Sequence, residues 1–125
     1  MIYGIGIDIV YIPRVKRMLE RWGDLFKNKI FTQNEILPRL KKITFYHELA
    51  ARIAAKEAFA KAVGLGWRQG LRWKDIEVIN LKSGQPVLNL YGRASEICKE
   101  EKIKNILVSL SHENEYAIAI VMLEK

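Results

Sequence analysis

The sequence has one cysteine, Cys98, which excludes an internal disulfide framework and any all-cysteine metal site. Its two histidines show no zinc-type spacing. No apolar run approaches the roughly 20 residues of a membrane span. The start, MIYGIGIDIV, lacks a basic n-region and a small-residue cleavage site, so it reads as a strand rather than a leader. With a lone thiol, a reducing cytoplasm is the expected compartment. No G-x-S-x-G elbow is present, and neighbouring strand residues such as Ser111 and His112 point to opposite faces, which speaks against a serine hydrolase. Gly4-Ile5-Gly6 lacks the third glycine and following helix of a dinucleotide fingerprint. Acidic residues are also scarce, 14 against 21 basic, for a net charge of +7.

What remains is an ordinary globular composition over 125 residues, enough for one domain, 1–125. The charge is concentrated. Arg14, Lys16, Arg17, Arg21, Lys27, Lys29, Arg39, Lys41 and Lys42 face only Glu20, Asp24 and Glu35 within residues 14–42. Nearly all the excess positive charge lies there. Such a field draws an acidic partner, whether nucleic acid, an anionic membrane or an acidic protein, or is simply a solvated face.

Residues 2–10 alternate, with Tyr3, Ile5, Ile7 and Ile9 on one face and Gly4, Gly6 and Asp8 on the other, which predicts a strand whose bare side admits another backbone or a ligand. Pro13 opens a helix with Val15, Met18, Leu19 and Trp22 on one face, Arg14, Arg17 and Arg21 on another, and Gly23 at its end. Thr32 and Glu35 form a T-x-x-E capping box for a second helix, short or kinked because of Pro38. Thr44 caps a third and longest helix, rich in alanine and running to about Gly64. A glycine-punctuated loop, 65–74, leads to a hairpin of strands around KSGQP. A helix over 92–103 and two final strands, ILVSLSH and YAIAIVML, complete an α+β pattern: an antiparallel sheet packed against a long helix.

Three places can carry chemistry. Asp8 ends the bare face of the first strand, as a helix cap, a salt-bridge partner or a ligand for a hard cation. Glu57 and Lys61 are neighbours one helical turn apart, within a small-residue setting where an exposed ion pair is not expected. The run Ser109-Leu110-Ser111-His112 ends a strand. Two carboxylates without zinc-type ligands suit magnesium, and lysines and arginines suit phosphates. Cys98 reads as a small buried hydrophobe.

GIGIDIV (4–10), Arg14, FTQNE (31–35), ARIAAKEAFAKAVG (51–64) and SLSH (109–112), with DIEV and SGQP between them, occur in an order and spacing that resemble the bacterial holo-(acyl-carrier-protein) synthases, small 4′-phosphopantetheinyl transferases. The resemblance spans nearly the whole chain. It implies a 4′-phosphopantetheinyl transferase-like fold. It also implies transfer of 4′-phosphopantetheine from coenzyme A to a serine of apo-acyl carrier protein, with release of adenosine 3′,5′-bisphosphate, in support of fatty acid biosynthesis. By the same resemblance Asp8 and Glu57 are Mg²⁺ ligands and, with Lys61 beside the pyrophosphate, the catalytic residues. Arg52, Lys61 and His112 contact coenzyme A; Arg14, Arg17 and Arg21 dock the carrier protein. A homotrimer with sites at subunit interfaces is implied as well. The basic segment matches an acidic carrier. Glu57 or a metal-bound water is the expected base. Two departures stand out: Ala50-Ala51-Arg52-Ile53-Ala54 replaces the commoner A-G-R-F-A, and Glu113 follows His112 where relatives commonly have threonine or aspartate. A nucleic-acid module using Trp22, Trp67 and Trp73 as stacking platforms is the rival reading, without an RNP-type or helix-turn-helix signature. A degenerate family member that only holds the carrier is a third, opposed by intact Asp8, Glu57 and Lys61.

Overall fold

Two glycines set how closely the layers approach. In the computed structural model, which describes residues 1–125, strand β1 (Ile2–Tyr11) turns Gly4 and Gly6 toward the long helix α4 (Phe45–Ala62). A Cβ at Gly4 would run into the carbonyl oxygen of Ala62, and one at Gly6 into that of Ala58. The helix meets the bare strand with small residues: Ala50, Ala51, Ala54, Ala55, Ala58 and Ala62 are all buried. The close approach expected on the glycine face is therefore made by helix backbone.

The helix packs against an antiparallel sheet of order β1-β5-β4, with β4 at Asn105–Glu113 and β5 at Tyr116–Glu124. A separate hairpin pairs β2 (Ile76–Asn80) with β3 (Pro86–Leu90), so the strands form two sheets rather than one. Register places Asp8 opposite Ala119 and Leu110 opposite the same alanine, while Val10, Ala117 and His112 form the next row. Ala117 and Ala119 are buried, so this is the helix-covered face, and Asp8 and His112 share it. The other face holds Ile5, Ile7 and Ile9, which are 56%, 55% and 60% exposed, beside Ile118 and Ile120.

Helix α1 (Ile12–Trp22) carries Pro13 in its first turn and is capped by Gly23, whose φ of 52° suits a residue without Cβ. A helix the sequence reading leaves out, α2 (Asp24–Ile30), follows at once, with Asp24 in its first turn and Lys27 and Lys29 in its last. Helix α3 (Gln33–Ile36) is one turn long, and Pro38 carries the chain into a 3₁₀ turn, as its position requires. Helix α5 (Gly92–Glu100) stops short of residue 103, where Lys102 adopts a positive φ of 58°. One core of 26 buried residues joins α4, the sheet and the hairpin.

Candidate active site

Asp8 and Glu57 come together. Strand β1 and helix α4 place them on one cavity of about 410 Å³, lined also by Ile9, Val10, Arg14, Val15, Met18, Phe26 and Ile53. Glu57 is half-buried. Burial pushes its carboxyl above the usual range. The Trp67 indole and Lys61 pull it down, and the Asp8 charge adds to the rise. Lys61 does not pair with Glu57 one turn away. Its Nζ donates to Asp8 Oδ1 at 3.1 Å and to the Ile7 carbonyl at 3.0 Å. That ammonium is half-exposed, so the pair adds little stability and remains accessible to an anion.

The donor set is chemically selective. Two carboxylates share one cavity, and no cluster of three or more His, Cys, Asp or Glu side chains surrounds them. Oxygen-only ligation with room for outside oxygens suits a hard cation such as Mg²⁺ that keeps waters or phosphate oxygens in its shell.

Arg14 belongs to two cavities at once. It lines the carboxylate cavity and also a neighbouring one of about 480 Å³ formed with Arg17, Met18, Glu20 and Arg21. The arginine ridge anticipated on α1 thus runs directly into the acidic site. His112 lies elsewhere, in a cavity of about 470 Å³ with Ser111, Glu113, Asn114, Glu115 and Tyr116; Ile9 is common to this cavity and the acidic one. Its ring meets that of His47 on α4 edge-on, with centroids 5.2 Å apart.

Arg52 is not brought to the carboxylates. It is 2% exposed, and its guanidinium donates to the carbonyls of Val78 and Glu48 and to Asn80 Oδ1, bracing α4 against β2. Burial, with repulsion from Arg39, lowers its pKa to about 10. Within one protomer its donors serve the fold.

Sequence reasoning did not join the two most deeply buried charges. Lys56 and Glu35 are both 0% exposed and pair at 2.8 Å. Lys56 also donates to the carbonyls of Ile30 and Trp73; Glu35 accepts from the backbone of Thr32, closing the capping box, and of Val78. The capping box was the signal for Glu35, but nothing local pairs it with a lysine 21 residues away.

The chain matches the family model described as the 4′-phosphopantetheinyl transferase superfamily over residues 4–121. It is 44% identical over 124 residues, 99% of each chain, to a holo-(acyl-carrier-protein) synthase of Solibacter usitatus. Among solved structures it resembles the holo-(acyl-carrier-protein) synthase of Neisseria meningitidis, with a TM-score of 0.90 and 39% identity over 100% of both chains. It also resembles that of Helicobacter pylori in complex with coenzyme A, with a TM-score of 0.85 and 29% identity over 96% of this chain and 99% of that one. With two carboxylates, a lysine and an arginine ridge on one continuous surface, and a family match from the first strand to the last, the chain belongs to the 4′-phosphopantetheinyl transferase superfamily.

Proposed function

We infer that the protein is a holo-(acyl-carrier-protein) synthase, moving 4′-phosphopantetheine from coenzyme A to a serine of apo-acyl carrier protein. The observation that carries this reading is Arg14, which belongs at once to the acidic cavity and to the arginine surface. An acidic carrier seated on Arg14, Arg17 and Arg21 would have its serine delivered beside Asp8 and Glu57.

In the reaction the serine oxygen attacks the phosphorus next to pantetheine. The bond from that phosphorus to the bridging pyrophosphate oxygen breaks, and adenosine 3′,5′-bisphosphate leaves. Asp8 and Glu57 would hold a Mg²⁺, which when bound offsets charge on the pyrophosphate. Lys61, already within reach of the Asp8 carboxylate, is placed to meet a phosphate oxygen. Glu57 lines the same cavity and is the chain's own carboxylate within it that could take the serine proton. His112, 5.2 Å from the His47 ring and on the same sheet face as Asp8, is the proposed contact to a coenzyme A phosphate.

A homotrimer is part of the proposal. The outer face of the β1-β5-β4 sheet leaves Ile5, Ile7, Ile9, Leu107, Ile118 and Ile120 exposed in adjacent rows, an apolar surface of the kind that subunits cover. His112, which lines a cavity with Ile9 and Ile118 of that face, would then act at a subunit boundary, while the buried Arg52 stays with the fold. Incubation with apo-acyl carrier protein, coenzyme A and Mg²⁺ should add one phosphopantetheine to the carrier's mass. No adduct with any of several carriers would refute the transferase reading. Sedimentation should give three times the mass of one chain.

A further inference from the structure

The loop after α4 contains a buried donor with nothing to donate to. Gly64 and Gly66, with φ of 80° and 60°, reverse the chain, and Gly66 N–H returns to the Ala60 carbonyl at 3.2 Å. The next residue is Trp67. Its ring stacks on Trp73 with centroids 3.9 Å apart and planes 27° from parallel. Trp73 is itself tethered, because Lys56 Nζ donates to its carbonyl at 3.1 Å. The buried Glu35–Lys56 pair thus fixes Trp73, and Trp73 fixes the plane of Trp67. Despite this anchoring, Trp67 Nε1 is buried without a hydrogen-bond partner. A buried N–H left unpaired is costly and calls for an explanation. Glu57 lies within reach of it: the loop folds back on α4 through Gly66 and Ala60, Trp73 is tied to Lys56 next to Glu57, and the indole is the strongest influence favouring the ionised Glu57 carboxylate.

We propose that Trp67 is a positioning residue, its indole N–H holding the carboxylate of Glu57 in the orientation that binds a divalent cation. A ligating carboxylate uses one oxygen for the metal and leaves the other to be fixed by a protein donor. A hydrogen bond from the indole to Glu57 would satisfy the buried donor. The stack on Trp73 makes the donor rigid, so the orientation is set before metal arrives. The inference rests on the reading of Glu57 as a metal ligand, and its test separates the two.

The probe is Mn²⁺, whose free signal is followed by electron paramagnetic resonance as full-length protein is titrated in, without substrate. Trp67→Phe keeps an aromatic ring on Trp73 and removes the N–H together with part of the indole ring. It should weaken Mn²⁺ binding about tenfold, while Glu57→Gln weakens it at least as much. If Glu57→Gln weakens binding and Trp67→Phe stays within twofold of the parent, the positioning role is overturned and the metal reading stands. If neither variant changes binding, both fall. Should Trp67→Phe fail to fold, the parent protein still decides. In ¹⁵N-labelled protein the Trp67 indole signal should shift when Mg²⁺ is added and stay still in Glu57→Gln. A signal that does not move in the parent refutes the proposal.

Discussion

Lys56 and Glu57 follow one another on α4 and meet opposite fates. Lys56 is fully buried, paired with Glu35 and bonded to two backbone carbonyls, so every direction in which its ammonium can donate is used. Glu57 is half-buried and shares a cavity with Asp8, another carboxylate. Burial lowers the pKa of Lys56 and raises that of Glu57, in each case against the charged form. Only Lys56 has a buried counter-ion in bonding contact to oppose that pressure. A charge that holds a fold together is satisfied within the chain; one that lines a cavity can still take a partner from outside. The two residues differ by about one hundred degrees of helical rotation, and that rotation separates the interior from the cavity.

The largest expected effect tests the structural half of this contrast. Lys56→Met should destabilise the protein by about 3–5 kcal/mol in urea titrations, because Glu35 would remain buried without its counter-ion. The double variant Lys56→Met/Glu35→Leu should recover most of that loss. If the single variant unfolds at nearly the parent midpoint, the pair does not pin α3 and β2 to α4, and the contrast fails.

Glu57→Gln and Asp8→Asn test the other half. Each should reduce the rate of carrier modification by at least about a hundredfold, more than the loss of an outer-shell partner usually costs. Neither should unfold the protein. For Glu57 the sign can be worked out. Its folded-state pKa is raised, so its ionised form costs stability above that pKa, and the cost disappears as pH falls to the ordinary carboxyl value of 4.5. Glu57→Gln should therefore melt at or above the parent temperature at neutral pH, with the gap closing in acid. A variant that was both inactive and markedly less stable at pH 7 would place Glu57 with Lys56 as a structural charge.

Much of this contrast was open to sequence reasoning, in an uneven way. The alternation of β1 and the alanine content of α4 were legible because both are local periodicities, and the bare glycine face correctly announced a close backbone approach. The T-x-x-E box was legible for the same reason. Helix α2 was missed because it is only 7 residues long, begins immediately after the glycine that ends α1, and has no separate apolar repeat. Asp8 and Glu57 could be named from their residue types and motifs, but not the cavity they share. The expected neighbour pair Glu57–Lys61 gave way to Lys61–Asp8, since a strand carboxylate 53 residues away competes better for the ammonium than the helix neighbour does. Arg52 shows the same limit from the other side: its motif position suggests a ligand contact, while its donors in this protomer are taken by Val78, Glu48 and Asn80. Partners brought together by tertiary folding leave no mark at short range.

Gly6→Ala sharpens the comparison at the strand that carries Asp8. The added methyl meets helix backbone rather than a side chain that can swing away, so α4 and β1 must separate. A loss of about 1–3 kcal/mol in urea titrations is expected. Activity should fall by more than the unfolded fraction explains, because Asp8 moves with the strand while Glu57 moves with the helix. Activity per folded molecule equal to that of the parent would mean that the spacing of the two carboxylates tolerates the shift.

The smallest effect belongs to the exposed ridge. Arg14, Arg17 and Arg21 are exposed on α1, so their contribution to the fold is slight and their field extends into solvent. Arg14→Glu should leave the melting temperature nearly unchanged and raise the KM for apo-acyl carrier protein about tenfold, roughly 1.4 kcal/mol, with the KM for coenzyme A little altered. Because the attraction acts across water, the difference between parent and variant should shrink as salt is raised from about 0.05 to 0.5 M. Arg14 also lines the carboxylate cavity, so the variant distinguishes its two possible duties. A change confined to coenzyme A would assign Arg14 to the phosphates. A change confined to the carrier, and lost in salt, assigns it to docking, and makes α1 the surface along which an acidic partner reaches Glu57.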